Sequence, residues 1–163
     1  MIALYLLRHA HAGDPARWTG DDAIRPLSER GRRQSERVAK LLASAEEAPD
    51  VMITSPKVRA AETAQIVARQ LKIEVVVDDR LMGPLDPDIV AEILAGAGMA
   101  VRPCLVGHDP DFSMLLGELT GVFAIQMKKG SLARVDYEGN SLVPGRGVLR
   151  FLVPPEILGA RGG

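Results

Sequence analysis

Aromatic residues are scarce in this sequence: one Trp, two Tyr and three Phe among 163 residues. A core built from it must be aliphatic. Cysteine is scarcer still. Cys104 stands alone and cannot form an internal disulfide, which makes a reducing cytoplasm the expected compartment. No apolar run approaches the roughly 20 residues of a membrane span. The N-terminus shows neither a basic n-region nor a cleavage site behind a long apolar stretch, so no signal peptide is expected. Neither sign of charge dominates: 20 basic against 21 acidic residues leave a net charge of −1. That argues against a general nucleic-acid binder, whose footprint is a strong basic excess. Histidine is limited to three residues. His9-x-His11 after a first strand has the form of an amidohydrolase metal motif. Such sites need a barrel of about 250 residues and further His or Asp ligands, and this chain is too short to supply them. Neither a metal nor another cofactor is expected.

What is present is ordinary for a globular chain, 47% apolar and 25% charged, with a length that suits one domain over residues 1–163. Ile2 to Leu7 is a continuous apolar run rich in aliphatic residues that breaks at once into Arg8-His9-Ala10-His11-Ala12-Gly13. A strand apolar on both faces belongs in a parallel sheet covered on both sides. Ligands of such sheets bind at the carboxyl ends of the strands, which is where Arg8 and His9 fall.

A polar loop follows from Asp14 to Pro26. Ser28 is a good N-cap for a helix to about Ser44. Val51–Thr54 is a short strand, with Ser55-Pro56 expected as N-cap and N1 of a helix to about Gln70. Glu74–Val77 is a third strand, and Asp86-Pro87 starts a third helix that ends at Gly96 and Gly98. Val101–Val106 is a fourth strand delivering Gly107-His108, and Asp109-Pro110 caps the next helix, which stops at Gly121. Residues 131–137 alternate in polarity, and Val148–Val153 reads as their hairpin partner at one edge of the sheet. The order β-α-β-α-β-α-β-α-β-β predicts a three-layer α/β/α domain, mostly parallel with an edge hairpin.

Three strand ends in this plan carry polar residues. His9 follows the first strand, Arg59 lies in the first turn of the helix after the second, and His108 ends the fourth. If the strands are parallel, these residues converge in one crevice with Arg8 and Arg25. Two imidazoles with several guanidiniums near helix N-termini suit a tetrahedral dianion. One imidazole can act as nucleophile while the other donates to phosphoryl oxygens.

Leu7-Arg8-His9-Ala10, Ser55-Pro56-x-x-Arg59-Ala60-x-x-Thr63-Ala64 and Val106-Gly107-His108 together resemble the histidine phosphatase superfamily, of phosphoglycerate-mutase-like fold. Arg25-Pro26-Leu27-Ser28-x-x-Gly31 and Gly130-Ser131-Leu132-Ala133 are similar to its SixA-type phosphohistidine phosphatase branch. The resemblance implies that His9 becomes a phosphohistidine intermediate, that Arg8, Arg59 and His108 clamp the phosphoryl group, and that Arg25 assists. It implies a phosphorylated substrate, a histidine-phosphorylated protein foremost, and no metal.

Two departures stand out. Ala10 replaces the glycine commonest after the Arg-His pair. The loop Leu81-Met82-Gly83-Pro84-Leu85-Asp86 lacks the glutamate acid that ester-cleaving relatives present, and Asp86 is expected to be occupied as an N-cap. An alkoxide leaves badly without a proton donor, whereas an imidazole can already be protonated on its other nitrogen near neutral pH.

Taken singly, each of these residues has a bland reading, and only their joint spacing argues for a phosphoryl site. His11 is expected at the rim. Asp14, Asp109 and Asp111 read as caps or surface charges. Arg32, Arg33 and Arg37 read as a solvated helix face, with docking of an acidic partner as the alternative. Cys104 reads as a buried strand residue and Lys128-Lys129 as surface. A small-molecule phosphomonoesterase of the same fold and a non-catalytic phospho-binding module remain open beside the phosphohistidine phosphatase, as does the oligomeric state.

Overall fold

A computed structural model describes residues 1–159. The strands are β1 (Ile2–Arg8), β2 (Val51–Thr54), β3 (Glu74–Val77), β4 (Pro103–Gly107), β5 (Leu132–Tyr137) and β6 (Val148–Val153), and the helices α1 (Glu29–Ala43), α2 (Val58–Leu71), α3 (Pro87–Gly96) and α4 (Asp111–Thr120). They form one six-stranded sheet in the order β3-β2-β4-β1-β5-β6. The pairs among β1 to β4 are parallel, and β5 and β6 add antiparallel at one edge. This is the α/β plan expected from the sequence. Among the described residues, no helix is long and apolar enough to cross a membrane.

Side-chain alternation along β1 divides the core into two layers. Leu4 and Leu6 pack with Ile53 and Leu105 against Val90 and Ile93 of α3 and Leu115 and Leu119 of α4. Tyr5 and Leu7 point the other way, with Met52, Cys104 and Val106, onto Val38 and Leu42 of α1 and Ala64 and Val67 of α2. Each such aliphatic side chain contributes on the order of 1.5–3 kcal/mol by leaving water. The cost of exposing either set fixes the strand register and holds the carboxyl ends of β1, β2 and β4 level.

Three boundaries depart from the sequence reading. Strand β4 begins at Pro103 rather than Val101, because the N–H groups of Val101 and Arg102 donate to the Asp50 carboxylate (3.2 and 3.1 Å) instead of a ladder. Helix α2 begins at Val58, with Lys57 at the N-cap and no side-chain cap bond. The Ser55 hydroxyl is 2.7 Å from His108 and accepts from the Lys57 N–H at 3.2 Å, so Ser55-Pro56 forms the turn before the helix. Helix α4 begins at Asp111, with Pro110 at the N-cap. Asp109 still serves that helix end, accepting from the Ser113 N–H at 2.9 Å and from its hydroxyl at 2.8 Å.

Candidate active site

The register of the parallel strands builds this site. Arg8 pairs with Gly107 across β1 and β4, and the His9 N–H donates to Gly107 O at 3.0 Å. His9 and His108 thus leave adjacent strands side by side, their ring centroids 5.2 Å apart. Thr54 pairs with Val106, which carries Ser55 to His108 and the first turn of α2, with Arg59, toward the same end. His9 (5% exposed), His108 (7%), Arg59 (6%) and Arg25 (6%) are all buried, an uncommon state for such groups unless they are paired.

Backbone packing holds the loop after β1 in place. Gly31, in the first turn of α1, lies so close to this loop that a Cβ there would stand 1.9 Å from His11 O. Ser28 donates to the same carbonyl from its N–H (3.0 Å) and hydroxyl (3.1 Å). The His11 N–H donates to Gln34 Oε1 at 2.9 Å, and its ring lies 2.6 Å from Ser28 Oγ. His11 therefore ties the loop to α1 at the rim. The methyl of Ala10 is fully buried, and the Ala10 N–H donates to Thr63 Oγ1 at 3.2 Å, so the residue in the usual glycine position packs without conflict. On the far side, the Gly130 N–H donates to both Arg8 O (3.1 Å) and His9 O (3.0 Å). The turn that brings it there places Gly130 at φ +79°, the left-handed region that favours glycine.

The hydrogen-bond network assigns the ring protons. His9 Nδ1 lies 2.8 Å from Ala10 O. A carbonyl only accepts, so Nδ1 carries the proton and Nε2 the lone pair. His108 Nε2 lies 2.7 Å from Ser55 Oγ, which already accepts from the Lys57 N–H. The single hydroxyl proton has no other acceptor among the described residues, so it donates to Nε2 and leaves the His108 proton on Nδ1. That Nδ1 is buried and unpartnered.

The guanidiniums share this feature. Arg8 donates from Nη1 to Met127 O at 2.8 Å. Arg59 donates from Nη1 to Asp22 O (2.9 Å) and from Nη2 to Asp22 Oδ2 (3.0 Å). In both, Nε is buried without a partner. Among the described residues, four buried side-chain polar atoms lack partners: Arg8 Nε, Arg59 Nε, His108 Nδ1 and, at the other end of β2, Asp50 Oδ1. The three at the site are donors, and each unmade bond costs about 1–3 kcal/mol. An oxyanion bound between them would recover that cost.

Electrostatics favour the same occupant. Burial, against the Ala10 carbonyl and with help from His108, Arg59 and Arg8, pushes His9 down to about 3. Burial, with Lys57, Arg59 and Arg8, pushes His108 down to about 4, and Asp22 opposes this. Both imidazoles are therefore neutral at pH 7. Burial also lowers both Arg8 and Arg59, yet a guanidinium stays cationic at neutral pH. The arrangement presents one neutral nucleophilic nitrogen beside two cations and a neutral donor.

Arg25 has a different placement from the other four. Its Nη1 donates to Ala12 O at 2.6 Å and its Nε to Asp22 Oδ1 at 2.9 Å, so it braces the loop. Asp22 is the residue that sequence reasoning left in the polar loop. Its carboxylate bridges Arg25 and Arg59, and the bond from Arg25, ahead of the charge of Arg59, holds it below the ordinary carboxylate range. Its spacing three residues before Arg25 was the one local signal for this pairing. Asp86 accepts from the Ile89 N–H at 2.8 Å as the N-cap of α3, so the single carboxylate of the Leu81–Asp86 loop is taken. Lys129, read from sequence as surface, is half-buried. Burial, then Arg8, Arg25 and Arg59, lower its amine, which places it at the cationic rim. Cys104 is buried in β4, and burial pushes its thiol well up, leaving it inert.

The known proteins similar to this chain include several phosphatases. The family model of the histidine phosphatase superfamily (branch 1) matches residues 4–83. A SixA protein from Agrobacterium tumefaciens is 25% identical, with a TM-score of 0.77 over 94% of this chain and 98% of that one. The protein histidine phosphatase SixA, solved with tungstate, is 21% identical, with a TM-score of 0.79 over 97% and 100% of the two chains. Mycobacterial glucosyl-3-phosphoglycerate phosphatase, solved with VO3, is 19% identical, with a TM-score of 0.73 over 93% and 98%. No curated protein sequence matches the chain. Over residues 4–83 the chain resembles the histidine phosphatase superfamily, and it has the phosphoglycerate-mutase-like α/β fold of these structural relatives.

Proposed function

We propose that the chain is a phosphatase that carries the phosphoryl group on His9 and that its substrate is phosphohistidine on a protein. The observation that supports this best is the trio of buried, unpartnered donors around a neutral imidazole whose Nε2 is free. The lone pair of His9 Nε2 attacks phosphorus, a P–N bond forms, and the bond to the leaving nitrogen breaks with its electron pair going to that nitrogen. Arg8 Nε, Arg59 Nε and His108 Nδ1 donate to the phosphoryl oxygens as charge builds on them. Water then attacks phosphorus, the P–Nε2 bond breaks, the pair returns to Nε2, and inorganic phosphate leaves with the proton that water gives up. The guanidiniums supply the positive charge that a metal supplies elsewhere, and turnover proceeds without one.

The leaving group decides between substrates. An imidazole protonated on its second nitrogen departs neutral and needs no acid from the protein, whereas an alkoxide needs one. Asp86 caps α3, and Asp22 is held between two guanidiniums. Both facts favour a phosphoramidate over an ester. SixA, solved with tungstate, is named a protein histidine phosphatase, and the likeness in fold supports the same substrate class.

The test is turnover of a histidine-phosphorylated protein domain beside an alkyl phosphate, with a metal chelator present. Fast loss of phosphohistidine with slow ester hydrolysis is expected, and His9→Ala abolishes both while the protein still folds. Fast alkyl ester hydrolysis would favour the small-molecule reading represented by the glucosyl-3-phosphoglycerate phosphatase fold. Phosphate binding without turnover of either would favour a binding module.

A further inference from the structure

Helix α1 carries Arg30, Arg33 and Arg37 at i, i+3 and i+7, a spacing that sets them in one stripe about 10 Å long. They line a cleft of about 320 Å³ with Gln34, Pro155 and Glu156. Their neighbour Arg32 is turned away and paired with Glu62 of α2 at 3.1 Å. Arg33 has one exposed partner, Glu29, at 3.5 Å. Arg30 and Arg37 form no ion pair among the described residues. The carboxylate within the cleft, Glu156, is held by Lys128 at 3.0 Å.

This cleft adjoins the candidate site. Gln34 Oε1, on its wall, accepts from the His11 N–H. A Cβ on Gly130 would stand 3.4 Å from Gln34 Oε1 and 3.5 Å from Pro155, and the Gly130 N–H donates to His9 O. Half-buried Lys129 stands in the chain between Lys128, the partner of Glu156, and Gly130, whose N–H also donates to Arg8 O, so the backbone carries it from the stripe to the site. The chain as a whole has a net charge of −1, so this is a local excess of positive charge beside the candidate site.

We infer that the stripe of Arg30, Arg33 and Arg37, continued by Lys129, is the docking surface for an acidic face of the protein whose phosphohistidine enters the site. The inference rests on the proposed function and adds the location and charge of the recognition surface. A protein face suits it better than a single-stranded nucleic acid, because among the described residues no aromatic side chain lines the cleft to stack a base.

The test uses the full chain and two probes, a histidine-phosphorylated protein domain of acidic surface and free phosphohistidine. The R30E/R33E/R37E variant is expected to lose roughly 10- to 100-fold in kcat/KM on the domain at low salt, with the loss shrinking as salt screens the encounter. Its activity on free phosphohistidine stays within about twofold, since none of the three residues touches the pocket. R30A/R37A adds no like-charge repulsion, keeps the test if the triple variant does not fold, and loses less in the same direction. Unchanged kcat/KM on the domain, or equal losses on both probes, would overturn the docking surface. Binding of the phosphorylated domain to His9→Ala, with and without the arginine changes, is read independently of turnover. Charge-dependent binding without hydrolysis by the unaltered protein would sink the functional reading and leave the surface standing. Tighter competition by an RNA oligonucleotide of matched charge would overturn the assignment to a protein.

Discussion

Replacing Ser55 by alanine removes one oxygen atom from a fully buried position, and the consequence can be followed to the chemistry. The hydroxyl donates to His108 Nε2 across 2.7 Å and so keeps the ring proton on Nδ1, a buried atom without a partner among the described residues. In Ser55→Ala, Nε2 becomes a buried acceptor with nothing to accept, a state that costs about 1–3 kcal/mol. The ring can escape part of that cost by carrying its proton on Nε2 instead, which leaves a lone pair aimed at phosphoryl oxygens. The tautomer preference is worth about one neutral hydrogen bond, a net 0.5–1.5 kcal/mol, so the ratio of the Nδ1–H to the Nε2–H tautomer falls by about 2- to 12-fold. Removing the donor altogether, in His108→Ala, has a ceiling of about 10²- to 10³-fold in kcat. Ser55→Ala should therefore lower kcat by about 2- to 4-fold, with a smaller rise in KM, and His108→Ala should cost considerably more. Turnover of a phosphorylated substrate gives the rate, and the ring ¹⁵N shifts of His108 report the tautomer directly. A Ser55→Ala protein with unchanged kcat and an unchanged Nδ1–H tautomer would refute the assignment.

Arg59→Ala removes a donor from the site and frees the Asp22 carboxylate it holds. A charge-assisted bond of about 1.5–3 kcal/mol predicts a fall in kcat/KM of roughly 10- to 150-fold, shared between KM and kcat because the phosphoryl group is charged in both states; an unaltered variant would remove Arg59 from the site. Gly31→Ala tests the packing behind the loop. Helix propensity alone would make it stabilising by about 1 kcal/mol, whereas a methyl 1.9 Å from His11 O should overturn that gain, lowering both Tm and turnover by displacing the loop that carries His9. Stability should also depend on pH with a definite sign. His9 and His108 titrate near 3 and 4 in the folded protein, against an ordinary value of 6.5. The unfolded chain therefore binds more protons between those limits, and stability is fully present above pH 6.5 and is lost as pH falls toward 4 and 3. His9→Ala should flatten the fall of Tm with decreasing pH, and an identical slope in the variant would contradict the buried, neutral imidazole.

The sequence by itself determined the succession of strands and helices, the placement of Arg8, His9 and His108 at strand ends, and that of Arg59 in the first turn of α2. Those signals are local. An apolar run that breaks at Arg8-His9, a serine N-cap at Ser28 and an Asp-Pro start at Asp86 are each set by a few neighbouring residues and by sterics that act over one turn. The unbroken apolar run of β1 likewise foretold a strand covered on both faces, and Leu4 and Leu6 did separate from Tyr5 and Leu7.

The tertiary structure alone decided what the polar side chains do. Ser55, expected as a helix cap, gives its hydroxyl to His108, 53 positions away. Asp22 binds Arg59 across 37 positions, and Arg25 braces a loop instead of reaching for substrate with its Nε and Nη1. On α1, Arg32 turns to Glu62 while Arg30, Arg33 and Arg37 line a cleft, although the four arginines look alike in sequence. A hydrogen bond or ion pair depends on position to within a few tenths of an ångström, and loop closure and strand register set those positions only once the two core layers have packed. Periodicity names the elements because it repeats along the chain; the partners of single polar atoms do not repeat, and only the folded contacts define them.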